Sequence, residues 1–170
     1  DLDLSVIDEL PANRGRIRTF VRSREKVAKV HEFMRGKLKE GRQAYVVYAR
    51  LDMADTDAGI KAVTEELAAL RQEFAPHQVG LLHGRLNARE KEEVMTAFRL
   101  NQIQVLLATS VIEVGVDVPN ASLMVIESAE RFGLSQLHQL RGRIGRGERD
   151  SVCILFFGAK LSAAARERLR

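Results

Sequence analysis

The amino-acid sequence predicts a single α/β domain in which a parallel β-sheet is covered by helices on both faces. The chain has 170 residues, a length typical of one domain. Hydrophobic residues make up 45% of the sequence and charged residues 29%, which indicates a compact core and excludes intrinsic disorder. Short apolar runs alternate with segments of helical period, and this alternation is typical of strands joined by crossover helices.

The first part of the chain contains two strand–helix units. Residues 17–21 are predicted as a short strand, and residues 44–49 as a buried strand because of their β-branched and aromatic content. After each strand, apolar residues at spacings of three and four predict a helix, the first ending at Gly41 and the second at Pro76. The residues of these two stripes are Val27, Val30, Met34 and Leu38, and Ile60, Val63, Leu67, Leu70 and Phe74.

The second part repeats the pattern with sharper boundaries. Residues 79–82 are predicted as a strand, and Asn87-x-x-Glu90 as a capping box that opens the next helix. Further strands are predicted at 104–108, 123–126 and 152–157, with a short helical turn after 108, a break at Val118-Pro119 and a helix at 134–140. A basic helical tail is expected at 161–170.

The sequence lacks the signals of several other protein classes. A single cysteine, Cys153, excludes an internal disulfide, and one Cys with four scattered His leaves no zinc cluster. The longest apolar runs, 105–108 and 153–157, are far shorter than the roughly 20 residues that span a bilayer, and no secretion leader opens the chain. We therefore expect a soluble cytoplasmic domain.

Signals for self-sufficient catalysis are also missing. The chain has no G-x-x-x-x-G-K-[ST] phosphate loop, no paired acidic motif at a strand end that would hold Mg²⁺, and no G-x-S-x-G. Any nucleotide chemistry would therefore need groups from another domain.

Charge is unevenly distributed along the chain. Residues 1–10 carry four acids and no base, whereas residues 11–43 carry eleven Lys or Arg against three Glu, a net charge of +8. The basic stretch 14–42 could attract phosphates. It could equally be the solvated face of a helix.

Polar residues follow three of the predicted strands, at the edge where parallel α/β sheets bind ligands. Arg50 and Arg85 could hold phosphates, and the hydroxyls of Thr109 and Ser110 could contact a sugar-phosphate backbone. The alternative for Ser110 is a capping box with Glu113.

Two further segments contain candidate ligand contacts. His83 at a strand end could contact a ligand or only a neighbouring loop, and Gly84 after it predicts a tight turn or a close backbone approach. Asp117 lies between Gly115 and a proline, where its carboxylate could accept from a ribose hydroxyl, pair with an arginine or stabilise a turn.

The densest signal is the segment 139–147, QLRGRIGRG. Arg143 and Arg146 are three residues apart, so on a helix or turn their guanidinium groups reach the same side and suit a multiply charged phosphate. A basic helix end exposed to solvent is the alternative. Three interleaved glycines disfavour it, because a plain surface helix would be destabilised by them.

These residues resemble motifs of the superfamily 2 helicases. Residues 107–119, LATSVIEVGVDVP, resemble motif V, and residues 139–146 resemble motif VI in its Q-x-x-G-R-x-G-R form. His83-Gly84 and residues 44–50 fall where the segment between motifs IV and V, and motif IV itself, are expected. The stretch 127–143, ESAERFGLSQLHQLRGR, is similar to the RecG family and less closely to the Mfd family, and the likeness covers residues 1 to about 157.

The resemblance implies the second RecA-like motor domain of an ATP-dependent DNA helicase, a P-loop NTPase fold without its own P-loop. The first motor domain would hold the P-loop and Mg²⁺, and ATP would bind at the seam between the two domains. Arg143 and Arg146 would be catalytic arginine fingers. The nucleotide contacts would be Gly115, Asp117 and Gln139, and the DNA contacts Arg50, His83, Gly84, Thr109 and Ser110.

The same resemblance implies a domain organisation and a whole-protein function. Residues 1–12 would be the linker from the first motor domain, 13–158 the helicase C-terminal domain, and 159–170 the start of a C-terminal helix. The parent, a cytoplasmic bacterial monomer with a DNA-wedge domain, would regress stalled forks and migrate junctions in DNA repair and recombination, whereas this chain alone would be inactive. The alternatives are the equivalent domain of an Mfd-type transcription-repair coupling translocase, a non-catalytic nucleic-acid- or protein-binding module, and a flavodoxin-style small-molecule domain. Residues 51–59 match no family motif.

Overall fold

A six-stranded parallel β-sheet forms the centre of the protein, in a computed structural model that describes residues 16–48, 56–109, 118–144 and 150–158. The strands are β1 Ile17–Ser23, β2 Gln43–Tyr48, β3 Val79–Leu82, β4 Val105–Ala108, β5 Ala121–Glu127 and β6 Ser151–Phe157. The helices are α1 Val27–Lys39, α2 Asp57–Phe74, α3 Ala88–Arg99 and α4 Leu134–Arg141, with 3₁₀ turns at Arg24–Lys26 and Ala129–Arg131. Strand order is β1-β6-β5-β2-β4-β3, and every neighbouring pair is parallel.

Each face of the sheet carries its own hydrophobic core. On one face α1 and α2 bury Met34 and Phe74 against β2, β4 and β5. On the other face α3 and α4 bury Phe98 and Leu140, and the Phe98 ring lies 5.2 Å from that of Tyr45. Because burying one large apolar side chain stabilises a fold by about 1.5–3 kcal/mol, the two layers supply most of the driving force. The predicted α/β class with helices on both faces is confirmed.

The strand predictions are confirmed: each predicted strand end that falls within the described residues lies within two residues of the observed one. β3 matches its prediction residue for residue, and β2 runs from Gln43 instead of Ala44. β5 begins at Ala121, two residues before the predicted start, because Gln43 N–H donates to the Asn120 carbonyl and extends the ladder through small and polar residues. The predicted turn after 108 and the terminal segments 1–12 and 159–170 lie outside the described residues.

Helix boundaries follow local hydrogen bonding. The predicted capping box of α3 is present: Asn87 Oδ1 accepts from Glu90 N–H at 2.8 Å, and Glu90 Oε1 accepts from Asn87 N–H at 2.9 Å. The α2 helix begins with Thr56 as its N-cap, whose hydroxyl accepts from Gly59 N–H at 3.0 Å. Gly41, with φ +92°, follows α1 in the left-handed region that glycine adopts without strain.

Two further properties of the described residues bear on the sequence analysis. Cys153 is fully buried, and burial raises the pKa of its thiol to about 12, so the side chain is a neutral core group. No helix within the described ranges is long and apolar enough to cross a membrane.

A close approach on β3 generates a stability prediction. A Cβ at Gly80 would lie 2.6 Å from Cδ1 and 3.3 Å from Cγ2 of Ile103. Gly80→Ala should therefore lower the free energy of unfolding, measured by urea denaturation, by about 1–3 kcal/mol. Ile103→Val removes the Cδ1 methyl, so the double variant should lose less than the sum of the two single losses. Strictly additive losses would contradict the steric explanation.

The α1–α2 contact contains a titratable group. The His31 ring meets Phe74 edge-on at 5.2 Å, and its Nδ1 lies 3.6 Å from Glu73 Oε2. Burial lowers the pKa of His31 below its ordinary 6.5, and this effect exceeds the opposing one of Glu73. The folded protein therefore favours the neutral ring.

This lowered pKa predicts a pH dependence of stability. The unfolded chain binds a proton at a higher pH than the folded chain does, so the free energy of unfolding should fall as pH drops from about 6.5 towards the lower folded-state pKa of His31. His31→Gln should flatten this part of the profile, measured by denaturation between about pH 7.5 and 5.5. The same substitution at exposed His138 is the control. An unchanged slope in His31→Gln would contradict the assignment.

Candidate functional site

The parallel sheet gathers the carboxyl ends of all its strands at one edge. His83 and Gly84 follow β3 at this edge, and Thr109 follows the neighbouring β4. Thr109 N–H donates to the Leu82 carbonyl at 3.3 Å, which ties the two strand ends together. The structure thus brings together three of the five predicted DNA contacts.

The loop after β3 is a hydrogen-bonded turn. Leu86 N–H donates to the His83 carbonyl at 3.2 Å, and Arg85 N–H donates to His83 Nδ1 at 3.1 Å. Because Nδ1 accepts a hydrogen bond, the neutral ring of His83 carries its proton on Nε2. Gly84 is exposed and lies in this tight turn, as predicted, but its φ is not in the left-handed region.

The three predicted DNA contacts at this edge differ in their exposure to solvent. His83 is half-buried and Gly84 is exposed, whereas Thr109 is only 2% exposed. The Thr109 hydroxyl therefore presents almost no surface to a ligand. Its role as a DNA contact stays a prediction.

Helix α4 carries the part of the site predicted to meet the nucleotide. Leu140 and Ile144 are almost fully buried and anchor the end of the helix. Gln139 is exposed, and Arg143, four residues later, is half-buried in the turn that follows, where its N–H donates to the Leu140 carbonyl at 3.0 Å. The anchored helix end thus holds Gln139 and Arg143 one helical turn apart.

The glycine at the end of α4 lies close to two backbone carbonyls. A Cβ at Gly142 would lie 3.3 Å from the Gln139 carbonyl oxygen and 3.5 Å from that of His138. The backbone of Gly142 is right-handed helical, with φ −67° and ψ −11°, so a side chain there would require only a small shift of these carbonyls.

Five predicted site residues fall outside the described ranges, so the structure does not report on their positions. They are Arg50, Ser110, Gly115, Asp117 and Arg146.

An ion pair that the sequence analysis did not predict lies at the same carboxyl edge. Arg24 Nη1, just after β1, donates to Oε1 of Glu127, the last residue of β5 and only 6% exposed. The Arg24 guanidinium also lies 5.0 Å from the ring centroid of Phe156 on the intervening β6. The ion pair and the ring contact thus connect the carboxyl ends of β1, β6 and β5, which are neighbours in the sheet.

The segment between β5 and α4 is held at a second point. Ser128 adopts a left-handed conformation with φ 53°, and Glu130 Oε1 accepts from Gly158 N–H at 3.0 Å after β6. The start of the segment that carries Gln139 and Arg143 is therefore fixed to the ends of β1 and β6. The sequence signal for the ion pair was Glu127, an acid directly after the predicted strand 123–126, but the sequence did not indicate which cation it pairs with.

Arg141 is the second unpredicted feature. It is 7% exposed, and its positive charge acts on the pKa of buried Cys153 in opposition to burial. Of the arginines at 141 and 143, the structure therefore directs the first into the protein and leaves the second closer to solvent.

Part of the basic stretch, residues 18–37, lines a groove between α1 and the β1 edge of the sheet. Two adjoining cavities of about 310 Å³ each lie there, with Phe20, Phe33 and Val152 shared between them. The cations that line the groove are Arg18, Arg22, Lys26, Lys29 and Lys37. Arg22 lies 5.1 Å from the Phe20 ring centroid and Lys37 5.5 Å from that of Phe33, so these cations also pack on the aromatic floor.

Comparison with solved structures supports the same fold. A RecG structure bound to a three-way DNA junction is 42% identical, with a TM-score of 0.73 over 96% of this chain and 21% of that one. The C-terminal domain of the DEAD-box protein Dbp5 is 20% identical with a TM-score of 0.52 over 95% of this chain, a likeness of fold alone.

Comparison with curated proteins gives a more specific result. The ATP-dependent DNA helicase RecG of Synechocystis is 49% identical over 170 residues, 99% of this chain and 20% of that protein. The RecG helicase of Bacillus subtilis is 45% identical over 171 residues, 100% of this chain and 25% of that protein. The chain thus spans about a fifth to a quarter of the length of these relatives.

A family model described as the helicase conserved C-terminal domain matches residues 25–148, a range that begins after β1 and includes the whole of α4. The expected resemblance is confirmed by this match together with the RecG relatives, which cover almost every residue. The chain therefore belongs to the helicase conserved C-terminal domain family, and within it is similar to RecG helicases.

Proposed function

We propose that this chain is the second motor domain of an ATP-dependent DNA helicase that remodels branched DNA, regressing forks and migrating junctions. The observation that carries the proposal is the 42% identity over 96% of the chain to a RecG structure bound to a three-way DNA junction. The arrangement of the sheet edge and of α4 is compatible with this role, because each presents polar groups suited to phosphates.

Arg143 and Arg146 would act on the phosphoryl group that is transferred during ATP hydrolysis. Guanidinium groups bind phosphate oxygens bidentately and neutralise charge that develops in the transition state. The anchored end of α4 would hold Arg143 and Gln139 towards the nucleotide, with Gly115 and Asp117 as further contacts. Mg²⁺ would be held by the first motor domain; among the described residues, no group of three acidic, His or Cys side chains could hold a metal ion.

DNA would be contacted at the carboxyl edge by Arg50, His83, Gly84, Thr109 and Ser110. Contacts of this kind go to the sugar-phosphate backbone and carry no sequence information, as a translocase requires. Residues 1–12 would link the two motor domains, 13–158 would form this one, and 159–170 would begin a C-terminal helix. We further propose that the parent is a monomer in the bacterial cytoplasm with a separate DNA-wedge domain.

The motor hypothesis predicts a specific kinetic defect. In the full-length helicase, Arg143→Ala and Arg146→Ala should each lower kcat for DNA-stimulated ATP hydrolysis by about 10³–10⁵, because charge on the transferred group is no longer neutralised. ATP affinity, measured in parallel, should change little. Arg89→Ala, at an 87% exposed side chain on α3, is the control and should leave kcat unchanged. Unchanged kcat for ATP hydrolysis with reduced DNA affinity would show that Arg143 and Arg146 only bind phosphate. The motor hypothesis also predicts that this chain alone shows no ATPase activity.

The cationic groove favours one second candidate, a non-catalytic module that binds nucleic acid through the stretch 14–42. This hypothesis predicts salt-dependent DNA binding by the chain that is indifferent to nucleotide and is weakened by the double substitution Arg18→Gln, Lys29→Gln. The motor hypothesis predicts instead that this double variant of the full-length helicase keeps its DNA-stimulated kcat. Fluorescence anisotropy with the chain and steady-state ATPase with the full-length protein separate the two.

A further inference from the structure

An exposed ion pair joins the loop after β3 to the start of α2. Arg85 Nη1 donates to Asp57 Oδ1 at 2.7 Å, and the two side chains are 46% and 97% exposed. Arg85 lies two residues after His83, so the pair adjoins the predicted DNA contacts at the carboxyl edge. Asp57 lies within the stretch 51–59, which matches no helicase motif.

Both partners project from ordered backbone. The Arg85 N–H is held by His83 Nδ1 in the turn after β3. Asp57 is the first residue of α2, directly after its N-cap Thr56, whose carbonyl accepts from Ile60 N–H at 2.9 Å. The two side chains can therefore exchange partners while their backbones stay in place.

The energies of the two possible partners differ. An ion pair between exposed side chains contributes little to stability, because water screens it and the long side chain loses rotamer freedom. A phosphodiester, like a carboxylate, can accept two N–H bonds from the guanidinium, and contact between the guanidinium and the phosphate also releases counterions condensed on the nucleic acid. A DNA backbone that reaches this edge would therefore compete well with the Asp57 carboxylate.

We propose that Arg85 is a phosphate-binding residue and that Asp57 occupies its guanidinium until a DNA phosphate displaces it. This inference rests on the proposed function in assuming that DNA passes along the carboxyl edge. It adds a DNA contact, Arg85, and a competitor for it, Asp57. Asp57 sets how tightly this edge holds DNA, and displacement of its carboxylate removes this ion pair between α2 and the β3 loop.

The competition can be measured by a double-substitution cycle in the full-length helicase. DNA affinity is read by fluorescence anisotropy with a forked duplex, without nucleotide, across a series of salt concentrations. Arg85→Gln should weaken binding by roughly three- to tenfold and reduce the slope of log K against log salt by about 0.9, the value for one phosphate contact on duplex DNA. Asp57→Asn should tighten binding by about two- to fivefold, because the competitor is removed.

The double variant distinguishes competition from simple repulsion. If Asp57 acts by occupying Arg85, then Asp57→Asn should give no gain in the Arg85→Gln background. A gain that persists there would show that Asp57 only repels DNA at a distance and would overturn the proposal, as would an Arg85→Gln variant with unchanged affinity and salt slope.

A matched control is available on α3. Arg89 and Glu93 form an exposed pair with an Nε–Oε2 distance of 3.3 Å and side chains 87% and 64% exposed. Arg89→Gln and Glu93→Gln should leave affinity and salt slope within error of the unsubstituted protein. The unsubstituted helicase also tests the proposed function in the same titration. Absence of salt-dependent DNA binding would contradict both the proposed function and the Arg85–Asp57 proposal. Normal binding that the Arg85 and Asp57 substitutions leave unchanged would contradict only the second.

Discussion

The parallel sheet, buried on both faces, is the constraint on which the rest of the molecule depends. β2 lies in the interior of the strand order, and its residues alternate between the two cores, with Ala44 and Val46 on one face and Tyr45 and Val47 on the other. Because both faces of the sheet pack against helices, the side chains within the strands form the hydrophobic cores and stabilise the fold. Chemistry is left to the loops at the strand ends, where parallel strands bring residues distant in sequence to one edge.

Local features of the fold could be predicted from the sequence, and long-range polar contacts could not. The period of the apolar residues located the strands and helices, and the Asn87–Glu90 spacing located a cap, because each depends on residues close together in the chain. The Arg24–Glu127 pair joins residues 103 positions apart, and Arg85–Asp57 residues 28 apart. With 27 basic and 23 acidic residues in the chain, pairing between them is set by the strand order, which periodicity does not determine.

The segment 139–147 shows how far a motif predicts its own geometry. The first of its glycines, Gly142, caps the end of α4, whereas Gly145 and Gly147 lie outside the described residues, so the prediction from the interleaved glycines stays a prediction. The motif did not indicate that Arg141 is buried, since spacing alone cannot tell which face of a short helix meets the sheet. That orientation is fixed by Leu140 and Ile144, which take the core positions on either side of the turn.

The two ion pairs at the carboxyl edge are suited to opposite tasks. Arg24 and Glu127 are held in a largely desolvated setting across β6, where breaking the pair would leave a buried carboxylate without its cation, so this contact should persist while the domain stays folded. Arg85 and Asp57 meet in solvent, where water screens the attraction and the ion pair is weak. A motor that advances along DNA must form and release backbone contacts in every cycle, and a contact that is too stable would hold it in place. The weakness of the exposed pair is therefore what the proposal requires, since in it the Arg85 guanidinium exchanges repeatedly between the Asp57 carboxylate and a DNA phosphate.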